Sequence, residues 1–445
     1  MIQKDTLNKE PIRVKRALLS VFDKNNIIDI GKTLIDNDIE ILSTGGTADA
    51  LRNDNIDVTD VSDYTHFPEI MDGRIKTINP LIEGGILGLR DDHEKEAKEN
   101  SIKWIDLVIC NLYPFSDVIS RENCDVSLAL ENIDIGGPTM IRSAAKNVGW
   151  VCVVVDPLDY TIIINELINN STISYETRKH LSAKAFGHTA QYDSIIHDYF
   201  KDEQLSDNLT LTYKKKSNLR YGENPHQSAS SYKIINNNEP NILNAIIHQG
   251  KELSYNNIMD ADGALACLKE FNEPACVIVK HSNPCGVSVG KDLLKIYDRA
   301  FNADSISAFG GIVAFNRTCT EDVAEAISKV FIEIVLAPKF DKNSLEIFKN
   351  KKNLRVLEIG EIRKRADKLE VRNIDGGLLV QDVDNKSLRE NDLKIVTKTS
   401  PSTKDIETAL FAWKVLRHAK SNGILIAKND TTVGLGAGQV SRVDA

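Results

Sequence analysis

From Arg16 onward, short runs rich in Val, Ile and Leu alternate with stretches of helical spacing, and this alternation constrains the fold most. Ala17 to Phe22 reads as a strand and Asn26 to Ile35 as a helix. Glu40 to Ser43 is a strand again, broken by Thr44-Gly-Gly-Thr47 ahead of a helical stretch from Ala48. Ile105 to Leu112 and Trp150 to Val155 are further strands, and Ser182 to Phe200 has helical spacing. Such alternation packs as a parallel, doubly wound sheet with helices on both faces. The second half follows the same logic less regularly. A helix from Asp260 precedes Cys276 to Val279, which reads as a buried parallel strand. Leu293 to Asn302 and Glu321 to Ser328 are helical, and Phe331 to Ala337 is a strand. Ala308 to Phe315 reads as a Gly-hinged strand, and the helix Ser402 to Lys420 leads into strand Gly423 to Ala427.

At 445 residues the chain exceeds what one core can fill, roughly 250–300 residues, so two or more domains are expected. The polar stretch Asp202 to Ser217, with its Lys214-Lys-Lys216 run read as a solvated linker, places the boundary. The expected organisation is therefore 1–200, a linker over 201–218, and 219–445. A net charge of −9 argues against bulk nucleic-acid affinity. The seven cysteines are scattered without a CxxC pair, the pattern of reduced cytoplasmic thiols rather than of a disulfide frame or zinc site. Met1 to Glu10 is polar and no apolar stretch reaches about 18 residues, so neither a signal peptide nor a membrane span is expected.

Chemistry gathers where the apolar runs stop. Cys276 to Val279 ends in Lys280-His281 and then Ser-Asn-Pro-Cys-Gly286, a cation and a proton carrier on turn-forming sequence. In open α/β sheets ligands collect outside the carboxyl ends of strands. Ser43-Thr-Gly-Gly-Thr47 lies between strand and helix. It can be a phosphate hole of amides and hydroxyls, or simply a tight turn with an N-cap. In Asp72-Gly-Arg-Ile-Lys-Thr77, an extended reading puts Arg74 and Lys76 on one face, where an anion would relieve their repulsion. Asn111-Leu-Tyr-Pro-Phe115 offers a phenol, and Asn132-Ile-Asp-Ile-Gly-Gly-Pro138 opens a helix carrying Arg142 and Lys146 on one side.

These motifs stand in one order with Phe67-Pro-Glu, Leu219-Arg-Tyr-Gly-Glu-Asn-Pro-His-Gln227, Lys251-Glu-Leu-Ser-Tyr-Asn-Asn257, Ser307-Ala-Phe-Gly-Gly311, Gly376-Gly-Leu-Leu-Val-Gln-Asp382 and Lys420-Ser-Asn-Gly. In that order the chain resembles the bifunctional purine-biosynthesis family joining AICAR transformylase to IMP cyclohydrolase, over roughly residues 13 to 445. The resemblance implies a methylglyoxal-synthase-like cyclohydrolase domain over 1–200. It also implies an α/β transformylase region with cytidine-deaminase-like subdomains over 219–445. The co-substrate would be 10-formyltetrahydrofolate, with AICAR, formyl-AICAR and IMP as ligands, and no metal or redox cofactor. A homodimer is implied, with neither nucleic acid nor membrane as partner.

By the same resemblance, Lys76 and Tyr113 are catalytic in ring closure with Asp134 and Lys146 beside them, acid and base unassigned. Lys24, Ser43, Thr44, Gly45, Gly46, Thr47, Arg74 and Thr77 would hold the substrate and its phosphate. For formyl transfer, His281 is the base, directly or through the neighbouring carboxamide, Lys280 stabilises the formyl oxygen or protonates the departing nitrogen, and Asn422 orients the site. Arg220, Tyr221 and His226 would contact the nucleotide, Arg442 its phosphate, and Gly311 would form a close-approach loop.

The family pattern has Ser at Phe22 and His at Asn79 and Glu83. It also continues past Ala445 with an aromatic-rich folate segment, so the transformylase region reads as incomplete, with apolar surface left beside the last strands. Two further readings remain open at this point: cyclohydrolase alone, or a non-catalytic nucleotide-sensing module.

Overall fold

The structure, a computed structural model, describes residues 7–71, 73–235, 237, 239–363 and 369–444. It divides into two compact units whose boundary in the chain falls between Thr212 and Tyr213.

Among the described residues, the first unit holds a five-stranded sheet in the order β3-β2-β1-β4-β5. Its strands are β1 (Arg16–Val21), β2 (Glu40–Ser43), β3 (Thr59–Asp60), β4 (Leu107–Asn111) and β5 (Cys152–Val154), and every pairing is parallel. The strands are apolar throughout because both faces are covered. Ala17, Leu19 and Val21 enter one core and Leu18 the other, as Leu107 and Ile109 oppose Val108 and Cys110. The helix Ile27–Asp36 turns Ile27, Ile30, Gly31 and Leu34 onto the sheet.

Register then sets the functional edge. Leu19 stands opposite both Ser43 and Ile109, and Val21 opposite Asn111, so β1, β2 and β4 end level with one another. The strand order reverses between β1 and β4, the crevice where open sheets bind ligands.

The long helix runs Tyr175–Phe200, starting earlier than its spacing suggests because the Ser174 side chain caps it, accepting from Thr177 N at 3.3 Å. These two extra turns bring in Arg178, whose side chain is fully buried. Among the described residues its five hydrogen bonds all go to main-chain carbonyls, of Asn8, Glu10, Val148, Gly149 and Ile173. A guanidinium so placed ties the amino-terminal segment and two loops to one helix.

The second unit opens with an exposed hairpin of β6 (Tyr213–Leu219) and β7 (Ala229–Ile234). Lys214 to Lys216 therefore lie in a strand, within the stretch expected to be a linker. The main sheet comprises β8 (Ile246–Gln249), β9 (Ala275–Lys280), β10 (Asn283–Val289), β11 (Ile312–Phe315), β12 (Ile334–Ala337) and β13 (Arg355–Glu358). After a second hairpin, β14 (Leu369–Ile374) with β15 (Gly377–Asp382), it is completed by β16 (Ile424–Lys428) and β17 (Thr431–Gly436). The order is β16-β17-β10-β9-β11-β12-β13-β8.

Two sequence expectations need correction here. The strand at Cys276 to Val279 is buried on both faces as expected, yet β9 is antiparallel to both neighbours. A two-residue connection to β10 can only reverse the chain, so local turn length overrides the parallel pattern that burial suggests. The expected strand Ala308 to Phe315 splits into a short helix, Ser305–Ala308, and β11, with Gly310 at φ +70° making the break.

Gly286 in β10 packs so closely on the helix Leu293–Ala303 that a Cβ there would lie 1.9 Å from the Ala300 carbonyl oxygen. On the outermost strands Ile424, Ile426 and Val433 present apolar side chains to solvent. All seven cysteines are free. No helix of the described residues is long and apolar enough to cross a membrane.

Two stability outcomes follow. Arg178→Lys offers one ammonium to five carbonyls, of which those of Gly149 and Ile173 are buried, and should destabilise the first unit by about 3 kcal/mol, since each unsatisfied buried acceptor costs roughly 1–3 kcal/mol. Gly286→Ala should lower the stability of the second unit by about 2–3 kcal/mol through overpacking. Calorimetric unfolding of each variant measures both, and an unchanged profile would contradict the packing described.

Candidate active sites

The first site forms at the level ends of β1, β2 and β4. The helix Gly45–Asn53 begins there with Gly45 at φ +43°, so its first amides face outward without intrahelical acceptors. A Cβ built on Gly45 would stand 3.8 Å from Lys76 Nζ, and one on Gly46 3.8 Å from Lys24 Nζ. Two ammonium groups thus sit over one helix N-terminus, a cradle for a multiply charged anion.

The hydroxyls of the same motif face inward, contrary to the expectation that they line the hole. Ser43 Oγ donates to Leu19 O at 2.7 Å, and Thr47 Oγ1 donates to Val21 O at 3.0 Å. Thr44 Oγ1 is 3.2 Å from Ser20 Oγ, and all three motif hydroxyl residues are buried. They fasten the helix to β1 rather than reaching solvent.

The Gly73–Thr77 segment corrects a second expectation. Ile70 and Ile75 form a bridge with Gly73 at φ +84° between them, so the stretch is a tight turn and the two-residue period does not apply. Asp72 lies outside the described residues. Arg74 turns away to pair with exposed Glu131, while Lys76 goes to the glycines.

Asp134 faces Lys76 from the loop before the helix Gly136–Lys146. Its Oδ1 accepts from Gly137 N at 2.8 Å, and its main-chain N donates to the Tyr192 hydroxyl at 2.8 Å. Burial pushes its carboxyl up, against the opposing pull of the Gly137 amide and Lys76. Thr77 is buried below, and a Cβ on Gly136 would stand 2.8 Å from its Oγ1. Lys146 ends the same helix, about 15 Å along its axis from Gly136 at 1.5 Å per residue. It is exposed there, and Arg142 lies over the Phe186 ring at 5.8 Å. The structure thus gathers Lys24, Gly45, Gly46, Lys76, Thr77 and Asp134, while Arg74 pairs with Glu131.

Tyr113 follows β4 and meets Phe22 edge-on, ring centroids 5.6 Å apart. Phe22 and Asp23 are held by Asn111, which sequence reasoning did not single out. Its Oδ1 accepts from Phe22 N (2.7 Å) and Asp23 N (2.9 Å), and its Nδ2 donates to Asp23 O (3.1 Å). This clasp shapes the loop carrying Lys24; the signal in the sequence was a carboxamide ending an otherwise apolar strand. The other departures from the family pattern are also accommodated. Asn79 caps the helix Pro80–Leu87 by accepting from Leu81 N at 2.9 Å. Glu83 accepts from Ser143 Oγ at 2.6 Å, and burial raises its carboxyl.

The second site lies at the β9–β10 turn. Lys280 Nζ donates to Phe309 O at 2.7 Å, and His281 is exposed beside it. Asn283 Nδ2 donates to His281 O (2.9 Å), while its Oδ1 accepts from Lys420 N (3.2 Å). Asn422 Nδ2 in turn donates to Gln439 O at 3.0 Å. The turn and the Lys420–Asn422 loop are therefore one hydrogen-bonded assembly.

Gly311 packs closely on β9: a Cβ there would stand 2.9 Å from Val279 O. Arg220 lies over the Tyr221 ring at 4.8 Å. Nearby, a cavity of about 570 Å³ at the β6–β7 hairpin is lined by Arg220, His226 and Tyr232 among others. Asn256 Nδ2 donating to Glu223 O at 3.4 Å links that segment to the helix Tyr255–Leu268. Arg442 is exposed, and among the described residues no contact joins it to these groups.

Two strand-end sites, one cationic cradle and one Lys-His turn, define a two-unit α/β enzyme of small anionic substrates. The AICARFT/IMPCHase bienzyme family model matches residues 144–445, and an MGS-like domain matches 26–139. The bifunctional purine biosynthesis protein PurH of Caldicellulosiruptor saccharolyticus is 47% identical over 437 residues, 96% of this chain and 85% of that protein. The protein of the same name from Bacillus cereus is 48% identical over 434 residues, again 96% of this chain and 85% of the relative. A solved structure, the crystal structure of ForH, is 31% identical and covers 42% of this chain and 96% of its own, with a TM-score of 0.40. The chain belongs to the bifunctional AICARFT/IMPCHase family. It is an AICAR formyltransferase and IMP cyclohydrolase, acting in the last two steps of IMP synthesis.

A carboxyl that holds its proton more tightly when folded opposes folding once ionised. That penalty is full above its raised folded value, shrinks as pH falls below it, and is gone below the value of the unfolded chain. Asp134→Asn, which keeps an acceptor for Gly137 N, should therefore raise Tm at neutral pH and converge with the parent protein in acid. Thermal melts across pH check this, and a lowered neutral Tm would contradict it.

Proposed function

We propose that ring closure of formyl-AICAR takes place at the first site and formyl transfer at the second, over 1–200 and 219–445 respectively. The observation that carries the first assignment is the pair of ammonium groups, Lys24 and Lys76, over Gly45 and Gly46. The ribotide phosphate lies against the helix amides and Lys24, with Arg74 reaching it on leaving Glu131. The carboxamide nitrogen of the substrate attacks the formyl carbon, and the carbinol oxygen then leaves as water. Both groups are weak, so proton transfer governs the rate. Asp134, with its carboxyl pushed up by burial, accepts the carboxamide proton; Lys76 and the Tyr113 phenol protonate the departing oxygen. Holding both reacting groups of one molecule together supplies further acceleration.

At the second site, His281 takes the proton of the AICAR amine as its nitrogen attacks the formyl carbon of 10-formyltetrahydrofolate. Lys280 stabilises the developing oxyanion, and the folate nitrogen leaves with a proton. Asn422 orients the turn, Arg220, Tyr221 and His226 hold the nucleotide, and Arg442 its phosphate. A homodimer in the cytoplasm fits the exposed Ile424 and Ile426 of β16 and the seven free cysteines.

Separate assays with AICAR plus 10-formyltetrahydrofolate, and with formyl-AICAR alone, test the division. Lys280→Ala should lose formyl transfer at least about 100-fold and keep ring closure within about twofold. Equal loss of both activities would overturn the two-site assignment. Lys24→Ala should raise KM for formyl-AICAR about tenfold or more through the lost phosphate contact, and an unchanged KM would remove Lys24 from the cradle.

A further inference from the structure

The imidazole of His281 is aimed by backbone alone: among the described residues no side-chain hydrogen bond holds it. His281 and Ser282 form the whole connection between β9 and β10, with Lys280 paired to Asn283 across it. Their φ angles are 53° and 59°, so both stand in the left-handed region, the geometry of a type I′ hairpin turn. That turn ordinarily takes Asn-Gly or Asp-Gly; Ser, with a Cβ, is disfavoured there and stays only where surroundings enforce it.

The enforcing group is visible. Asp260, on the helix Tyr255–Leu268, accepts through one oxygen, Oδ1, from Ser282 N at 2.7 Å and from Ser282 Oγ at 3.1 Å. Gly263, one turn further along, lies against the turn: a Cβ there would be at ordinary van der Waals distance, 3.5 Å, from Ser282 O. On the other side, Asn283 holds His281 O. The helix in turn is fixed by its own capping box, Ser254 with Asn257, and by Asn257 Nδ2 donating to Glu333 at 2.8 Å.

We propose that Asp260 is the positioning residue of the formyl-transfer site, holding His281-Ser282 in the left-handed turn and thereby aiming the imidazole at the reacting amine. The inference rests on the assignment of His281 made above. Charge-assisted bonds to both Ser282 donors select one conformation of the turn, where a free loop would populate several. A misdirected base lowers the rate of proton transfer without removing nucleotide contacts, so the loss belongs in kcat rather than KM.

The test compares full-length Asp260→Ala, Asp260→Asn, Ser282→Val and Asp260→Ala/Ser282→Gly with His281→Ala, assaying formyl transfer and ring closure in each. Asp260→Ala should lower kcat for formyl transfer at least tenfold, with KM for AICAR within twofold and ring closure unchanged. Asp260→Asn retains the acceptor oxygen and should keep at least a third of the parent rate. Ser282→Val, which leaves the helix untouched but is β-branched in the left-handed region, should reproduce the kcat loss. It serves as the deciding variant if Asp260→Ala does not fold. Glycine at 282 tolerates the conformation unaided, so the double variant should recover several-fold over Asp260→Ala. Normal kcat in Asp260→Ala or Ser282→Val, with His281→Ala inactive, would overturn the positioning role. Full activity of His281→Ala would instead overturn the assignment of the base.

Discussion

The interior of each sheet excludes charge, and most of the site geometry follows from that exclusion. β1, β4 and β9 are buried on both faces, so an ionised side chain along their length would be left without water. Polar chemistry is therefore confined to the residues where these strands stop. In the first unit, parallel register brings three such ends level, Val21, Ser43 and Asn111. In the second, one hairpin turn carries Lys280 and His281 out of the core together.

Around those ends, main-chain groups and short polar side chains do the fixing. Asn111 clasps the loop after β1, Asp260 clasps the turn after β9, and Asn283 joins that turn to the Lys420 loop. Arg178 repeats the device away from either site, gathering five main-chain carbonyls into one anchored corner. Neutral amide and carbonyl partners avoid the desolvation that a second buried ion would bring. Asp134 shows the alternative: a largely buried carboxyl that burial makes hold its proton more tightly, against the pull of the Gly137 amide and Lys76.

Much of this was legible before any coordinates. The strand–helix alternation gave the parallel sheet, because each β-branched run needs cover on both faces. Gly45-Gly46 between strand and helix marked where Lys24 and Lys76 converge, and the apolar run ending at Lys280-His281 marked β9 and its turn. What was misjudged shares one cause. Arg74 and Lys76 diverge because the glycine ahead of them folds the segment into a turn. Ser43 and Thr47 spend their hydroxyls on β1 because the helix start is pressed against that strand. In each case the residue type was suggestive, but which partner lay nearest was not a local property.

Residue order alone determined the element types, the buried runs, the motif chemistry and, through motif order, the family, since these depend on composition and spacing over a few residues. Only the assembled structure decided that β9 runs against its neighbours, that Lys24 and Lys76 converge on one helix start, and that Asn111 and Asp260 hold the two loops. Those outcomes depend on contacts between segments tens of residues apart, and hydrophobic periodicity carries no information about which polar group another segment will bring within hydrogen-bonding distance.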